Sequence, residues 1–361
     1  MSVVDPTLHR NLAGYRSLAR KTVSVVIATD RDASEWDRYA TGHPDASGYH
    51  VWAWRGVFAR AFGHESIYLV ARDGPRIAGV LPLVFINSLV FGRSLTSLPF
   101  LNYGGIAADS PDAADVLLAA ATEIGREQRC RHVELRHVAR RFPALPCKEH
   151  KVAMQLRLET GMWDRLDHKV RNQIRKAQKS ELTSEYGGVE LLADFYCVFA
   201  RNMRDLGTPV YGRRFFEEVL RSFPERTRIH VVRLKGTPVA AGITYQTGRG
   251  VEVPWASSVR DFNALCPNHL LYWSMIERAV ADGCDVLDFG RSTPHEGTYK
   301  FKEQWGARPV PLHWEYALMR GATLPNASPT NPKFQLAIKM WKKLPVSIAT
   351  RVGPSIVRAI P

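Results

Sequence analysis

Apolar residues follow two alternating rhythms along this chain. Short runs such as VSVVIA at 23–28 predict strands, and a short helix is expected at 33–41. In YHVWAWRGVFARAF at 49–62 the aromatic and apolar positions recur at helical spacing until Gly63 stops them. Strands are predicted at 66–72 and 76–85, joined by Asp73-Gly74, a hairpin signal. A strand-and-turn segment ends in LPFLNYGG at 98–105, a helix covers 111–128, and a strand covers 131–137. Then the order returns. Helices at 190–206 and 212–222 precede strands at 228–234 and 238–247, joined by Lys235-Gly236. A strand at 250–256, a helix at 267–282 and a strand at 285–290 complete the second copy.

The two copies can be set side by side. YLVARDGPRIAGVLPLV at 68–84 and HVVRLKGTPVAAGITYQ at 230–246 share a strand, glycine turn, strand plan. AATEIGREQRCRHVELR at 120–136 and SMIERAVADGCDVLDFG at 274–290 each run an amphipathic helix into a short strand. The pattern predicts a duplicated α/β (α+β) chain with two mixed twisted sheets flanked by helices. We divide it into an arm at 1–20, a first domain at 21–160, a second at 161–320 and a tail at 321–361. A length of 361 residues suits two cores rather than one.

Composition then narrows the partners. Lys and Arg exceed Asp and Glu by 49 to 35, a formal charge of +14, which favours an anionic partner. Cysteines at 130, 147, 197, 266 and 284 are scattered without a CxxC, so neither a disulfide framework nor a structural zinc site is indicated. That usage and the missing secretory pattern predict a cytoplasmic protein. The uncharged run between Arg76 and Arg93 is too short to span a bilayer and reads as paired strands.

Candidate chemistry gathers in GCDVLDFGRSTPHEGTYKFKEQWGARPVPLHWEY at 283–316, where a strand, a charged loop from Arg291 to Glu303 and a second strand near 310–319 are expected. Strand alternation puts Asp288 on the face opposite Leu287 and Phe289. The helix predicted at 162–180 has an apolar stripe of Trp163, Leu166, Val170, Ile174 and Ala177. Its other face carries Arg171, Arg175 and Lys179, which suit phosphates or simply a solvated surface. The tail from 331 holds Lys333, Lys339, Lys342, Lys343, Arg351 and Arg358 with no acid. Phe334, Ala337, Ile338, Trp341 and Leu344 share one helical face, and Pro345 ends or kinks the helix. This tail fits peripheral contact with anionic lipid at the inner membrane face, or packing across the domains.

KVRNQIRKA at 169–177, PNHLLYW at 267–273, LDFG at 287–290 and YKFKEQWG at 299–306 together resemble the FemAB-like acyltransferases with a BioF2-like acetyltransferase domain. The resemblance covers most of 20–320 and is nearest to the group associated with exosortase and exopolysaccharide systems. It implies a tandem GNAT fold and acyl or aminoacyl transfer to an amine on a cell-envelope or exopolysaccharide precursor. The acceptor would be a phosphate-bearing or lipid-linked saccharide or muropeptide. No cofactor would be tightly bound. The donor would be an acyl thioester such as acyl-CoA. Aminoacyl-tRNA is the alternative, although 180–230 has no room for the long helical hairpin of tRNA-using members. The glycine-rich pyrophosphate loop of single-domain GNAT enzymes is missing as well. A non-catalytic nucleic-acid-binding or scaffold role is a third reading.

The resemblance places Phe301 and Lys302 in the site. Lys302 would hold a phosphate or meet developing oxyanion charge. Tyr299 would pass a proton, and Asp288, Glu252 or His269 would serve as base. Arg291, just after Gly290, is a candidate anion clamp. Asn102, Tyr103, Arg171 and Arg175 would line the acceptor groove, and Trp255 completes the substrate-binding set.

Overall fold

The computed structural model describes residues 23–325 and 332–360, the side chains at 332–334 excepted. The arm expected at 1–20 lies outside them. The first half contains β1 (Val23–Ile27), α1 (Ala33–Gly42), α2 (Trp54–Phe62), β2 (Glu65–Asp73), β3 (Arg76–Ser88), β4 (Gly92–Ser97), β5 (Ala107–Ala108), α3 (Pro111–Glu127), β6 (His132–His137) and β7 (Cys147–Lys148). The second contains β8 (Val152–Arg157), α4 (His168–Lys179), β9 (Leu182–Gly187), α5 (Leu192–Leu206), α6 (Arg213–Ser222), β10 (Thr227–Leu234), β11 (Thr237–Thr247), β12 (Gly250–Ser258), α7 (Pro267–Ala281), β13 (Val286–Ser292), α8 (Gly297–Glu303), β14 (Arg308–Pro311) and β15 (His313–Leu318). Two tail helices follow, α9 (Pro332–Trp341) and α10 (Val346–Val357).

The expected duplication is present. One sheet runs β1-β2-β3-β4-β6-β15-β7, with β5 added on β3, and the other β14-β8-β13-β12-β11-β10-β9. Each half has four antiparallel strands in sequence and then a long helix. That helix crosses over to a strand lying parallel to the fourth, β6 on β4 and β13 on β12. Helices pack against the sheets; β2 and β3 meet α3 as well as α1 or α2. Cover on both faces explains why RIAGVLPLVFINS in β3 is almost continuously apolar. Ser110 begins α3 by accepting the Ala113 N–H at 3.2 Å, with Pro111 in the first turn. Gly63 closes α2 in the left-handed region.

Strand membership crosses the sequence boundary at 160 in both directions. β8, which precedes the second copy, lies between β13 and β14 in the second sheet. The strand expected near 310–319 is interrupted at Leu312. Its front part, β14, pairs with β8, whereas β15 pairs with β6 in the first sheet. The charged loop expected from Arg291 to Glu303 also differs, because its last turns form α8.

The halves share an aromatic core. Tyr49 stacks on Tyr245 at 5.7 Å, Trp54 meets Phe223 at 4.8 Å, and Phe62 meets Phe215 at 5.0 Å. Burying such rings contributes roughly 1.5–3 kcal/mol each. The Tyr245 hydroxyl also donates to the Gly48 carbonyl at 2.9 Å. A Cβ at Gly48 would sit 2.0 Å from Thr247 Oγ1, so this close approach admits glycine only.

The exchanged strand β15 is anchored by Glu315, which is fully buried. Its carboxylate accepts His137 Nδ1–H at 2.7 Å, Arg141 N–H at 3.1 Å and Phe142 N–H at 2.6 Å. Glu315→Ala is expected to cost about 3 kcal/mol in urea unfolding, since it leaves those donors buried and unpaired. An unchanged midpoint would show that this carboxylate does not anchor the strand.

Candidate active site between the two halves

The parallel pair β12 and β13 runs together for three rungs, ending at Glu252 opposite Asp288. Parallel register sets these two residues side by side on neighbouring strands, whose backbones lie about 4.8 Å apart. Asp288 is buried and Glu252 partly buried. The first half supplies their partners. The Tyr103 hydroxyl donates to Asp288 Oδ2, and Asn102 Nδ2 donates to Glu252 Oε1. Gln155 on β8 adds a bond to Asp288 Oδ2 at 3.3 Å, and the Gly290 N–H adds one to Oδ1 at 2.7 Å.

Burial and mutual repulsion dominate the pair's titration. Glu252 is pushed up by loss of water and then by the Asp288 charge, against the Asn102 donor. Burial likewise raises Asp288 despite its bonds from Tyr103, Gly290 and Gln155. Two adjacent carboxylates in low dielectric cannot both ionise readily, so they hold a proton above the ordinary carboxylate range. Burial, then the Glu252 charge, also lifts the neighbouring Tyr49 hydroxyl well above the usual phenol range.

The equivalent rung of the first half is built differently. There Thr96 lies opposite Glu134. Burial pushes Glu134 up, but the Arg136 guanidinium at 2.7 Å overrides it and holds the carboxyl below its usual value. The duplicated scaffold thus carries a quiet ion pair in one copy and a proton-holding acid pair in the other.

Two cations sit behind the pair. A bulge between Asp288 and Arg291 adds a residue to β13, and Gly290 absorbs it at φ 74°. Lys302 on α8 is buried, and its ammonium donates to the carbonyls of Gly290 at 3.0 Å and Arg291 at 2.9 Å. Burial lowers Lys302 to about 8, partly offset by Asp288. The Arg291 guanidinium lies 5.1 Å from the Trp314 ring centre, and Arg136 lies 4.2 Å from the same ring. Trp314 comes from the exchanged strand β15, so both halves meet here.

A cavity of about 530 Å³ opens beside this cluster, lined among others by His50, Tyr103, Asp109, His137, Arg141 and Gln155. Tyr103 and Gln155 therefore touch both the cavity and Asp288. The two histidines have both ring nitrogens engaged. His137 bonds Glu315 and accepts the Ile106 N–H at 2.8 Å, while His50 donates to the Gly105 carbonyl at 2.8 Å and accepts the Ser47 N–H at 3.0 Å. Burial drops His50 to about 4. These rings hold loops.

The other expected site residues are held by other contacts. Phe301 and Trp305 pack against His269 at 5.2 and 5.9 Å, and Tyr299 is half-buried one turn before Lys302. Burial lowers His269 to about 4. Trp255 is buried in the shared core, edge-on to Phe215 and Phe216. Arg171 and Arg175 lie on α4, which packs against α7. Arg175 covers Trp163 at 5.3 Å, and Gln173 accepts from the Cys266 thiol at 2.6 Å, just ahead of Pro267. Tyr49 and Gln155 were not expected. Tyr49 is one aromatic among many at helical spacing, and Gln155 is one polar residue within the apolar run of β8, so neither stands out.

Residues 165–303 match the family model of the acetyltransferase (GNAT) domain. Among solved structures, FemX is similar at 14% identity and TM-score 0.62, covering 87% of this chain and 100% of that one. A tandem GNAT protein from the clavulanic acid biosynthesis pathway is 11% identical at TM-score 0.53, covering 84% and 100%. The C-terminal domain of a putative lysylphosphatidylglycerol synthetase from Agrobacterium fabrum is 12% identical at TM-score 0.53, covering 79% and 91%. None of the curated proteins compared matches. The fold is a tandem GNAT-like α/β fold. The domain matched in the second half is described as an acetyltransferase domain.

The buried ammonium gives a signed stability test. Folded Lys302 titrates near 8, and an unfolded lysine near about 10.4. Between those values the unfolded chain binds more protons, so this group's contribution to stability rises with pH there. Lys302→Met should flatten that rise in urea midpoints measured across the window. An identical slope in both proteins would place the ammonium in water.

Proposed function

We propose that this chain transfers an acyl group from an acyl thioester to an amine on a cell-envelope or exopolysaccharide precursor, by direct attack. The supporting observation is the Glu252–Asp288 pair, bonded to Asn102 and Tyr103 of the first half, with Tyr103 and Gln155 also facing the 530 Å³ cavity. An acceptor amine in that cavity would reach the pair across Tyr103 or Gln155. As nitrogen attacks the acyl carbon and the carbon–sulfur bond breaks, the amine's proton passes to the carboxylates. A raised carboxyl matches an ammonium far better than an ordinary one does.

Lys302 fits the charge that builds on the carbonyl oxygen. An ammonium has three N–H donors, and two of them meet the Gly290 and Arg291 carbonyls, leaving one for a substrate oxygen. Arg291 adds field at the same point. Tyr299, three residues before Lys302 on α8, is the candidate proton donor to the leaving thiolate. Phe301, on α8 itself, packs against His269 and Tyr272 of α7 and holds the helix in place.

The donor's phosphates would be held by side chains rather than by a glycine loop. α7 opens with Pro267, which has no N–H to offer an anion. Beside it, α4 presents Arg171, whose Nε is buried without a partner, together with Arg175 and Lys176. The same basic face supports a second reading, an aminoacyl-tRNA donor. The likeness to a putative lysylphosphatidylglycerol synthetase supports a lipid-linked acceptor. The +14 charge suits an acceptor bearing phosphate.

Labelled acetyl-CoA, longer acyl-CoA and charged tRNA, each offered with cell-envelope extract, identify the donor; label retained on every donor would overturn the proposal. With a working pair, Glu252→Gln and Asp288→Asn should each lower kcat/KM by about 10²–10⁴-fold. In the parent enzyme kcat/KM should climb with pH as the pair gives up its proton, above the ordinary carboxylate range. Glu252→Gln should remove that limb. A profile unaltered by this substitution would exclude the pair as base.

A further inference from the structure

The tail packs on the body yet leaves an apolar face in water. Trp341, Ala349 and Val357 are buried, α10 lies against α5, and Arg204 donates to the Leu344 carbonyl at 2.6 Å. Ile338 and Leu344 of the expected apolar face are half-buried, Ala337 is exposed, and Phe334 lies outside the described side chains. Pro345 caps the start of α10. A second set of apolar residues points outward. Leu336 and Met340 on α9 are 68% and 63% exposed, and Ile348, Val352 and Ile356 continue the pattern on α10 at every fourth residue. Exposed Lys339 and Lys343 on the α9 segment and Arg351 on α10 border these rows. The chain from 331 onward holds no acid.

A hairpin tip repeats this chemistry. Between β3 and β4, Leu89 is 105% and Val90 72% exposed. The turn is held open to water by Ser88 Oγ, which accepts the N–H groups of Val90 at 3.3 Å and Phe91 at 3.1 Å. Arg93 and Arg131 flank it, both exposed. β2 begins at Glu65 opposite Phe85, so β3, still paired with β4, runs three residues, roughly 10 Å, past the end of β2. At that end His64 faces Arg358, the residue that closes α10. The tip and the end of the tail therefore both lie off the Glu65 end of β2.

We propose that α9, α10 and the β3–β4 tip form a docking surface for an anionic bilayer. Aliphatic side chains set among lysines and arginines match an interface of acyl chains beneath anionic headgroups. A second copy of the chain would bring the same cations face to face, which disfavours self-association. Among the described residues no helix is long and apolar enough to cross a membrane, so the contact is peripheral. This inference does not rest on the acyl-transfer reading, and its test needs neither donor nor acceptor.

The full chain is sedimented with phosphatidylglycerol–phosphatidylcholine vesicles and with phosphatidylcholine vesicles alone. Binding is expected only to the anionic set, loosened by added salt. Lys339→Gln, Lys343→Gln and Arg351→Gln should each weaken it about fivefold. Leu89→Ser with Val90→Ser should weaken it severalfold while the thermal melt stays unchanged. Absence of binding, or equal binding by the charge variants, overturns the proposal. An unaltered hairpin variant removes the tip from it. A concentration-dependent dimer that the same variants dissolve would assign the surface to a second copy instead.

Discussion

Two carboxylates on one rung of a parallel strand pair set the terms for the rest of this molecule. Burying an acid costs several kcal/mol unless donors replace water. Here the replacing donors from Asn102 and Tyr103 belong to the other half of the chain. The acids can therefore be buried only when the halves meet in one orientation. That orientation also puts the Trp314 ring beside Arg291 and opens the cavity next to Tyr103.

The framework around the pair enforces the same orientation by other means. β8 and β15 each complete the sheet of the other copy, so neither sheet is finished from a single stretch of sequence. Tyr49, Trp54 and Phe62 interlock with Tyr245, Phe223 and Phe215 in one continuous core. Such a boundary resembles a domain interior more than a hinge. The two copies differ at the equivalent rung. Where the second half places Glu252 opposite Asp288, the first places Thr96 opposite an acid already neutralised by Arg136.

Much of the architecture was legible because it is written in local patterns. Asp73-Gly74 and Lys235-Gly236 turn hairpins where expected, and the long helices before Asp288 and before Glu134 occur at the expected places. The side of the strand on which Asp288 lies followed from alternation alone. The loop from Arg291 was harder to read. Its charged residues look solvated in sequence, yet α8 folds back and buries Lys302 against two carbonyls. Charge predicts exposure unless a backbone irregularity, here the bulge at Gly290, offers buried acceptors.

The sequence by itself determined the duplication, the order of the elements the two copies share and the strand face of Asp288, since these depend on periods of two and 3.6 residues and on turn chemistry. Tertiary structure alone decided that Asp288 faces Glu252, that Tyr103 reaches across to it, and that β15 leaves its own copy. Each of those is a contact between segments distant in the chain. Such contacts are set by crossover geometry and by the need to satisfy buried acids, which no local pattern encodes.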